Sequence, residues 1–184
     1  VCDRHYRQGI SVITAENLLI ENTIMRGTAG TAPAAGIDFE PNHPEERLVN
    51  CVMRNCRSED NAGCGFVFYL TPMRFVSEPL SIRLENCVAT GNRNAALGFS
   101  TGGTGDLSVD GTVEVSQSVF SSDSAAVLHV TKPANRSRMV LTDCQFIATG
   151  TDPNGAAPIV VSSGQHADTP AGGVEFVRCL VRDA

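Results

Sequence analysis

The chain alternates apolar and polar residues over runs of four to six positions, broken by turn-rich segments. No stretch sustains the 3.6-residue period of an amphipathic helix, so the pattern predicts short half-buried strands throughout. The same words return along the chain. Ile20-Glu21-Asn22-Thr23, Leu48-Val49-Asn50-Cys51, Leu84-Glu85-Asn86-Cys87, Val115-Ser116-Gln117-Ser118, Leu141-Thr142-Asp143-Cys144 and Phe176-Val177-Arg178-Cys179 share one layout. Their fourth positions lie 28, 36, 31, 26 and 35 residues apart. Each begins with an apolar residue, and two residues beyond each stands another: Met25, Met53, Ala89, Phe120, Phe146 and Val181.

A second set of strands follows each word by ten to fifteen residues, often entered through glycine. These are Gly36-Ile37-Asp38-Phe39-Glu40, Gly65-Phe66-Val67-Phe68-Tyr69, Leu97-Gly98-Phe99-Ser100, Leu128-His129-Val130 and Ile159-Val160-Val161-Ser162, with Gly9-Ile10-Ser11-Val12 before the first word. A repeat of three short strands cannot bury its apolar positions alone. Stacking like units buries them, each strand pairing with its counterpart about 4.8 Å away in the next turn. The expected fold is all-β: a right-handed, single-stranded parallel β-helix of about six turns, one domain over residues 1–184, open at both ends. Propeller blades need about four strands in roughly 40 residues, and leucine-rich repeats are shorter with a stricter leucine pattern. An ordinary β-sandwich would not place cysteines in one register.

That register gives the special residues a role. Asn22, Asn50 and Asn86 fall where the chain must turn sharply, and asparagine tolerates the left-handed conformation. Gln117, Asp143 and Arg178 depart from asparagine, so an amide ladder should end after the third turn. Cys51, Cys87, Cys144 and Cys179 read as inward small hydrophobes sharing a file with Thr23 and Ser118. Disulfides between turns, such as Cys51 to Cys87, are the competing reading, which Thr23 and Ser118 argue against.

Composition narrows the function classes. A net charge of −6 without a Lys/Arg cluster argues against nucleic-acid binding. The longest apolar runs, such as Cys64 to Leu70, are far too short for a membrane-spanning helix. Tryptophan is absent, leaving Val, Ile, Leu, Phe and Cys to fill the core. The chain opens at Val1 with no leader, and it stops where another glycine-led strand is due, so it reads as cut from a longer helix.

The repeat words, such as Leu84-Glu85-Asn86-Cys87-Val88-Ala89, together with Arg7-Gln8-Gly9-Ile10-Ser11-Val12, resemble the parallel β-helix repeats of the pectate-lyase-like superfamily. The resemblance covers nearly the whole chain and is specific for fold. For chemistry it is weak, because this architecture hosts lyases, hydrolases, epimerases, esterases and tailspikes. It implies a long glycan lying along one parallel sheet, with catalytic groups projecting outward.

Strand alternation then selects candidates on the glycine-led strands. With Ile37 and Phe39 inward, Asp38 and Glu40 point out, about 7 Å apart on one face. Such a pair suits a hydrolase acid and base, or an oxygen-rich calcium site; the alternative is two solvated acids. The segment Asp3-Arg4-His5-Tyr6-Arg7-Gln8 should lie one turn earlier on the same side. There Arg4 and Arg7 could grip a uronate carboxylate, and His5 or Tyr6 could move protons. The alternative is a polar loop pairing with Asp38 or Glu40. The expected catalytic set is Asp38, Glu40, His5 and Arg7, with Arg4, Tyr6, Tyr69, Asn42 and His43 binding substrate. His129 should stand three turns from Asp38, roughly 14 Å along the axis, and reads as an isolated surface histidine. His166 sits in a loop without acidic company. No resident metal is expected, calcium being the one ion such acids could recruit. The expected partner is a polysaccharide met outside the cell, by a secreted or cell-surface protein acting as lyase or hydrolase. A noncatalytic glycan-binding stack and a purely structural fibre are the other two readings.

Overall fold

The computed structural model describes residues 1–104, 107–123, 126–150, 157–164 and 168–183; His166 lies outside them. Among the described residues the regular structure is essentially all β, in parallel sheets stacked as a β-solenoid of about five turns rather than six.

Three sheets run along the solenoid. The first holds the glycine-led strands β2 (Gln8–Val12), β6 (Ala35–Phe39), β10 (Phe66–Tyr69), β13 (Leu97–Ser100), β16 (Leu128–Thr131) and β19 (Ile159–Ser162). The second holds β4 (Leu19–Glu21), β8 (Cys51–Arg54), β11 (Leu80–Glu85), β14 (Gly111–Ser116), β17 (Ser137–Thr142) and β20 (Val174–Val177). The third holds β1 (Cys2–Asp3), β5 (Ile24–Arg26), β9 (Arg57–Glu59), β12 (Val88–Thr90), β15 (Val119–Ser122), β18 (Gln145–Ala148) and β21 (Leu180–Asp183). A fourth, two-stranded sheet pairs β3 (Ala15–Glu16) with β7 (Leu48–Val49).

Alternation along each strand sends one set of side chains inside, where they stack in columns. Ile37, Phe66, Leu97 and Leu128 form one column, and Phe39, Phe68, Phe99 and Val130 the next, all buried. The Phe39 and Phe68 rings stack with centroids 5.1 Å apart, and Phe120 does the same on Phe146 at 5.6 Å. Contacts of this kind add about 0.5–1.5 kcal/mol beyond area burial.

The turn between the second and third sheets is built by one residue at positive φ in every repeat: Asn22, Asn55, Asn86, Gln117, Asp143 and Arg178, all between 51° and 54°. Asn86 donates its amide to Asn55 at 2.8 Å, and Asn55 donates to Asn22 at 3.3 Å. Farther along, Arg178 grips Asp143 with two bonds of 2.7 Å, so an ion pair continues the column where amides stop.

Here the structure corrects one expected repeat. The second member of the column is Asn55-Cys56, not Asn50-Cys51: Arg57 N–H bonds the Thr23 carbonyl and Val88 N–H bonds the Cys56 carbonyl. The file is therefore Thr23, Cys56, Cys87, Ser118, Cys144 and Cys179, and its spacing from Thr23 to Cys56 to Cys87 evens out to 33 and 31 residues. Likewise Ser58, not Met53, aligns with Met25, whereas Met53 aligns with Ile20 and Leu84. The word at Leu48–Cys51 is a real turn at a different corner. Asn50 and Asn17 both have positive φ, and Asn50 donates to Asn17 at 2.8 Å.

The file's chemistry also differs from simple apolar filling. Each member donates back across its turn to the carbonyl two residues earlier: Thr23 to Glu21 at 2.9 Å, Ser118 to Ser116 at 2.7 Å, and Cys56 to Arg54 at 3.3 Å. Cysteine, serine and threonine interchange here because all three are small donors. All seven cysteines are free thiols, so no disulfide joins the turns.

Candidate functional site

The outer face of the first sheet carries the carboxylate pair. Ser11 aligns with Asp38, Asp38 with Val67, Val67 with Gly98, and Gly98 with His129, forming one outward row. Glu40 follows β6 on the same face, in line with Tyr69 on β10, which is half-exposed.

Glu40 is held by three neighbours from the preceding turn. The Arg7 guanidinium spans both carboxylate oxygens at 3.3 and 3.5 Å, Ser11 Oγ donates at 2.7 Å, and Gln8 Nε2 donates to Oε1. Asp38 is different. It is only 3 % exposed, and its Oδ1 is buried without a hydrogen-bond partner. Burial pushes its carboxyl up to about 7, Glu40 pushes it the same way, and Arg7 offsets part of the effect. Asp38 is thus not the solvated acid that strand alternation alone suggests: it faces outward but is covered. Near neutral pH it holds or releases a proton beside a carboxylate that already has a cation.

The rest of the expected set is dispersed. Arg4 sits at positive φ with its side chain 88 % exposed, 4.0 Å from Asp3. Asp3 instead pairs with Arg26 at 3.2 Å, which holds its carboxyl below the usual range. His5 and Tyr6 lie at the corner before β2; their carbonyls accept the amides of Ala29 and Thr31, and both side chains are exposed. Among the described residues neither side chain makes a hydrogen bond or ion pair with Asp38 or Glu40. The Asn42 and His43 backbone amides both cap the Glu46 carboxylate, leaving their side chains exposed in the loop. Of the nine expected residues, then, the fold brings together Asp38, Glu40 and Arg7, with Tyr69 alongside.

The pair makes a poor calcium site. Calcium takes about six to eight oxygens, whereas Arg7 occupies Glu40 and burial favours the protonated form of Asp38. Among the described residues no three His, Cys, Asp or Glu side chains converge to hold a metal, and no helix is long and apolar enough to cross a membrane.

Gln8, in the segment before the first glycine, and Ser11, outward by the same alternation, enter the site although neither is in the expected catalytic or binding set. Their signal was available: both lie in β2, which must stack on β6. A second feature went unread, a depression of about 320 Å³ on the same face over Gly98, with Cys64, Asn94, Ser100, His129 and Thr131 around it. Lys132 is a third. It is fully buried, donating to Asn135 Oδ1 at 2.7 Å and Pro133 O at 3.2 Å, and burial lowers its ammonium to about 8. Asn135, the asparagine of the sequon Asn135-Arg136-Ser137, is engaged on both ends of its amide. Its Nδ2 donates to Thr101 Oγ1 at 3.1 Å and Gly103 O at 3.2 Å.

No family model, no curated protein and no solved structure matches the chain. The assignment of function therefore rests on the site.

Proposed function

We propose that this is a carbohydrate-active β-helix protein of the pectate-lyase-like kind, secreted or displayed at the cell surface, acting on an extracellular polysaccharide laid along the first sheet. The observation that carries this reading is the Asp38–Glu40 pair. An acid whose burial keeps its proton to about pH 7 stands two residues from a carboxylate on one strand face. In a hydrolase Asp38 is the proton donor to the leaving oxygen and Glu40 the opposing carboxylate, their roughly 7 Å strand separation suiting inversion more than retention. Arg7 orients Glu40, and Tyr69 offers a ring to the chain. The repeat words support the reading at fold level only, since this architecture hosts several chemistries.

A noncatalytic glycan-binding role is the second reading. It is favoured by the near-complete burial of Asp38 and by the three donors already saturating Glu40. Incubation with neutral and uronate-containing polysaccharides separates the cases. New reducing ends without ultraviolet absorbance indicate hydrolysis, and an absorbance rise from a new double bond indicates elimination. Turnover lost in both Asp38→Asn and Glu40→Gln supports catalysis at this pair. Binding without turnover, surviving Asp38→Ala, supports the second reading, and neither binding nor turnover on any glycan refutes both.

A further inference from the structure

Four glycines mark the first sheet, and three of them are forced: a Cβ on Gly9 would lie 2.6 Å from the Gly36 carbonyl oxygen. A Cβ on Gly36 would lie 2.0 Å from Ser58 Oγ, and one on Gly65 would lie 2.5 Å from the Ala96 carbonyl oxygen. Those two are glycine because a side chain there would collide with the corner, where Ser58, Asn61 and Asn92 form a buried polar network. Gly98 has no such neighbour. Its Cβ would meet Cys64 Sγ at 3.5 Å and two further atoms at 3.9 Å, ordinary van der Waals contacts, and its φ is one that any residue adopts. Glycine inside a strand loses cross-strand packing and backbone entropy, so an unforced one costs stability.

What Gly98 provides is space. It occupies the outward row between Val67 and His129, and its missing side chain opens the depression of about 320 Å³, at the small end of ligand sites. Its lining is mostly apolar, with Val67, Phe68 and Phe99 beside Gly98, and Asn94, Ser100, Thr131 and His129 add hydrogen-bonding side chains. Among the described residues no Lys, Arg, Asp or Glu lines it. Gly98 is two strands from Asp38 on the same row, about 10 Å along the axis.

We infer that the notch over Gly98 is a subsite for one uncharged sugar ring, which packs on the apolar lining and hydrogen-bonds its hydroxyls to the polar side chains around it. This rests on the carbohydrate reading above and adds to it: the part of the glycan seated two strands from Asp38 is neutral, not a uronate.

The test is calorimetric titration of the chain with neutral and uronate oligosaccharides, repeated with Gly98→Leu and Gly98→Ala. Leucine fills the notch without displacing backbone, so Tm should hold or rise, while affinity for the neutral ligand falls at least ten-fold and alanine has a smaller effect. If Gly98→Leu lowers Tm, His129→Ala on the exposed rim replaces it, with a several-fold loss expected. Neutral binding unchanged in the variant read, or binding of uronates alone, overturns the subsite and leaves the carbohydrate reading standing. Failure of the parent chain to bind any oligosaccharide overturns both.

Discussion

Ser118 donates its hydroxyl to the Ser116 carbonyl at 2.7 Å and accepts the Cys87 amide at 3.0 Å, so one small side chain closes its own turn and ties it to the previous one. Removing it strands the buried Cys87 amide, while the Ser116 carbonyl keeps the Asn86 amide at 3.0 Å. Ser118→Ala should therefore cost about 1–3 kcal/mol in urea unfolding. Ser118→Cys keeps a donor and should recover most of that loss, because cysteine already fills the position in four other turns of the file at Cys56, Cys87, Cys144 and Cys179. Equal losses in the two variants would show that volume, not donation, sets the residue here.

The left-handed turns make a second claim. Asn86 combines a positive φ with an amide bond to Asn55. Asn86→Ala loses both advantages and should destabilise by about 1–2 kcal/mol, whereas Asn86→Gly keeps the conformation and should cost less. Denaturant midpoints for the two variants check the order.

These two corners also show how far the sequence could be read. Words of one layout recurring about every 30 residues could mean little other than a stack, and the glycine-led strands fell into one sheet as their alternation required. What the words could not reveal was which asparagine column each joined. Asn50-Cys51 and Asn55-Cys56 encode the same turn five residues apart, and only the pairing of β7 with β3 and β9 with β5 separates them. The site was legible to a similar depth. Alternation put Asp38 and Glu40 on the outer face and the stack brought Arg7 to Glu40, but burial of Asp38 depends on neighbours distant in sequence. His5 and Tyr6 were adjacent to Arg7 in the chain, yet the corner before β2 turns them elsewhere.

Lys132 supplies a third expectation. Its ammonium is buried among neutral partners, with Asn135 Oδ1 the nearest acceptor. Replacing an internal charge with an apolar residue of similar length is often harmless, so Lys132→Met should leave Tm nearly unchanged or raised at pH 7. Asn135→Ala leaves the charge and Thr101 short of partners and should lower stability by about 1–3 kcal/mol. The pH dependence has a definite sign. A lysine whose folded pKa of about 8 lies below its unfolded 10.5 favours the neutral form when folded, so its contribution is present at high pH and lost as pH falls through that window.

Asp38 works in the opposite direction. Its folded pKa, about 7, lies above the ordinary 3.8, so the fold prefers the protonated acid. That contribution is complete below about pH 4 and is lost as pH rises to about 7 and just beyond. Between pH 4.5 and 7 the parent chain should lose stability relative to Asp38→Asn, which cannot ionise. Parallel stability curves for the two proteins would contradict the assignment.

The whole site turns on that one proton. Carbon-13 NMR titration of the side-chain carboxyl of Asp38, assigned by comparison with Asp38→Asn, reads it without relying on any substrate. A midpoint near pH 7, moving upward in Arg7→Met as the offsetting cation is removed, is the expected result. A midpoint near 4, indifferent to Arg7, would mean an ordinary solvated acid and would leave the paired-carboxylate site without its proton donor.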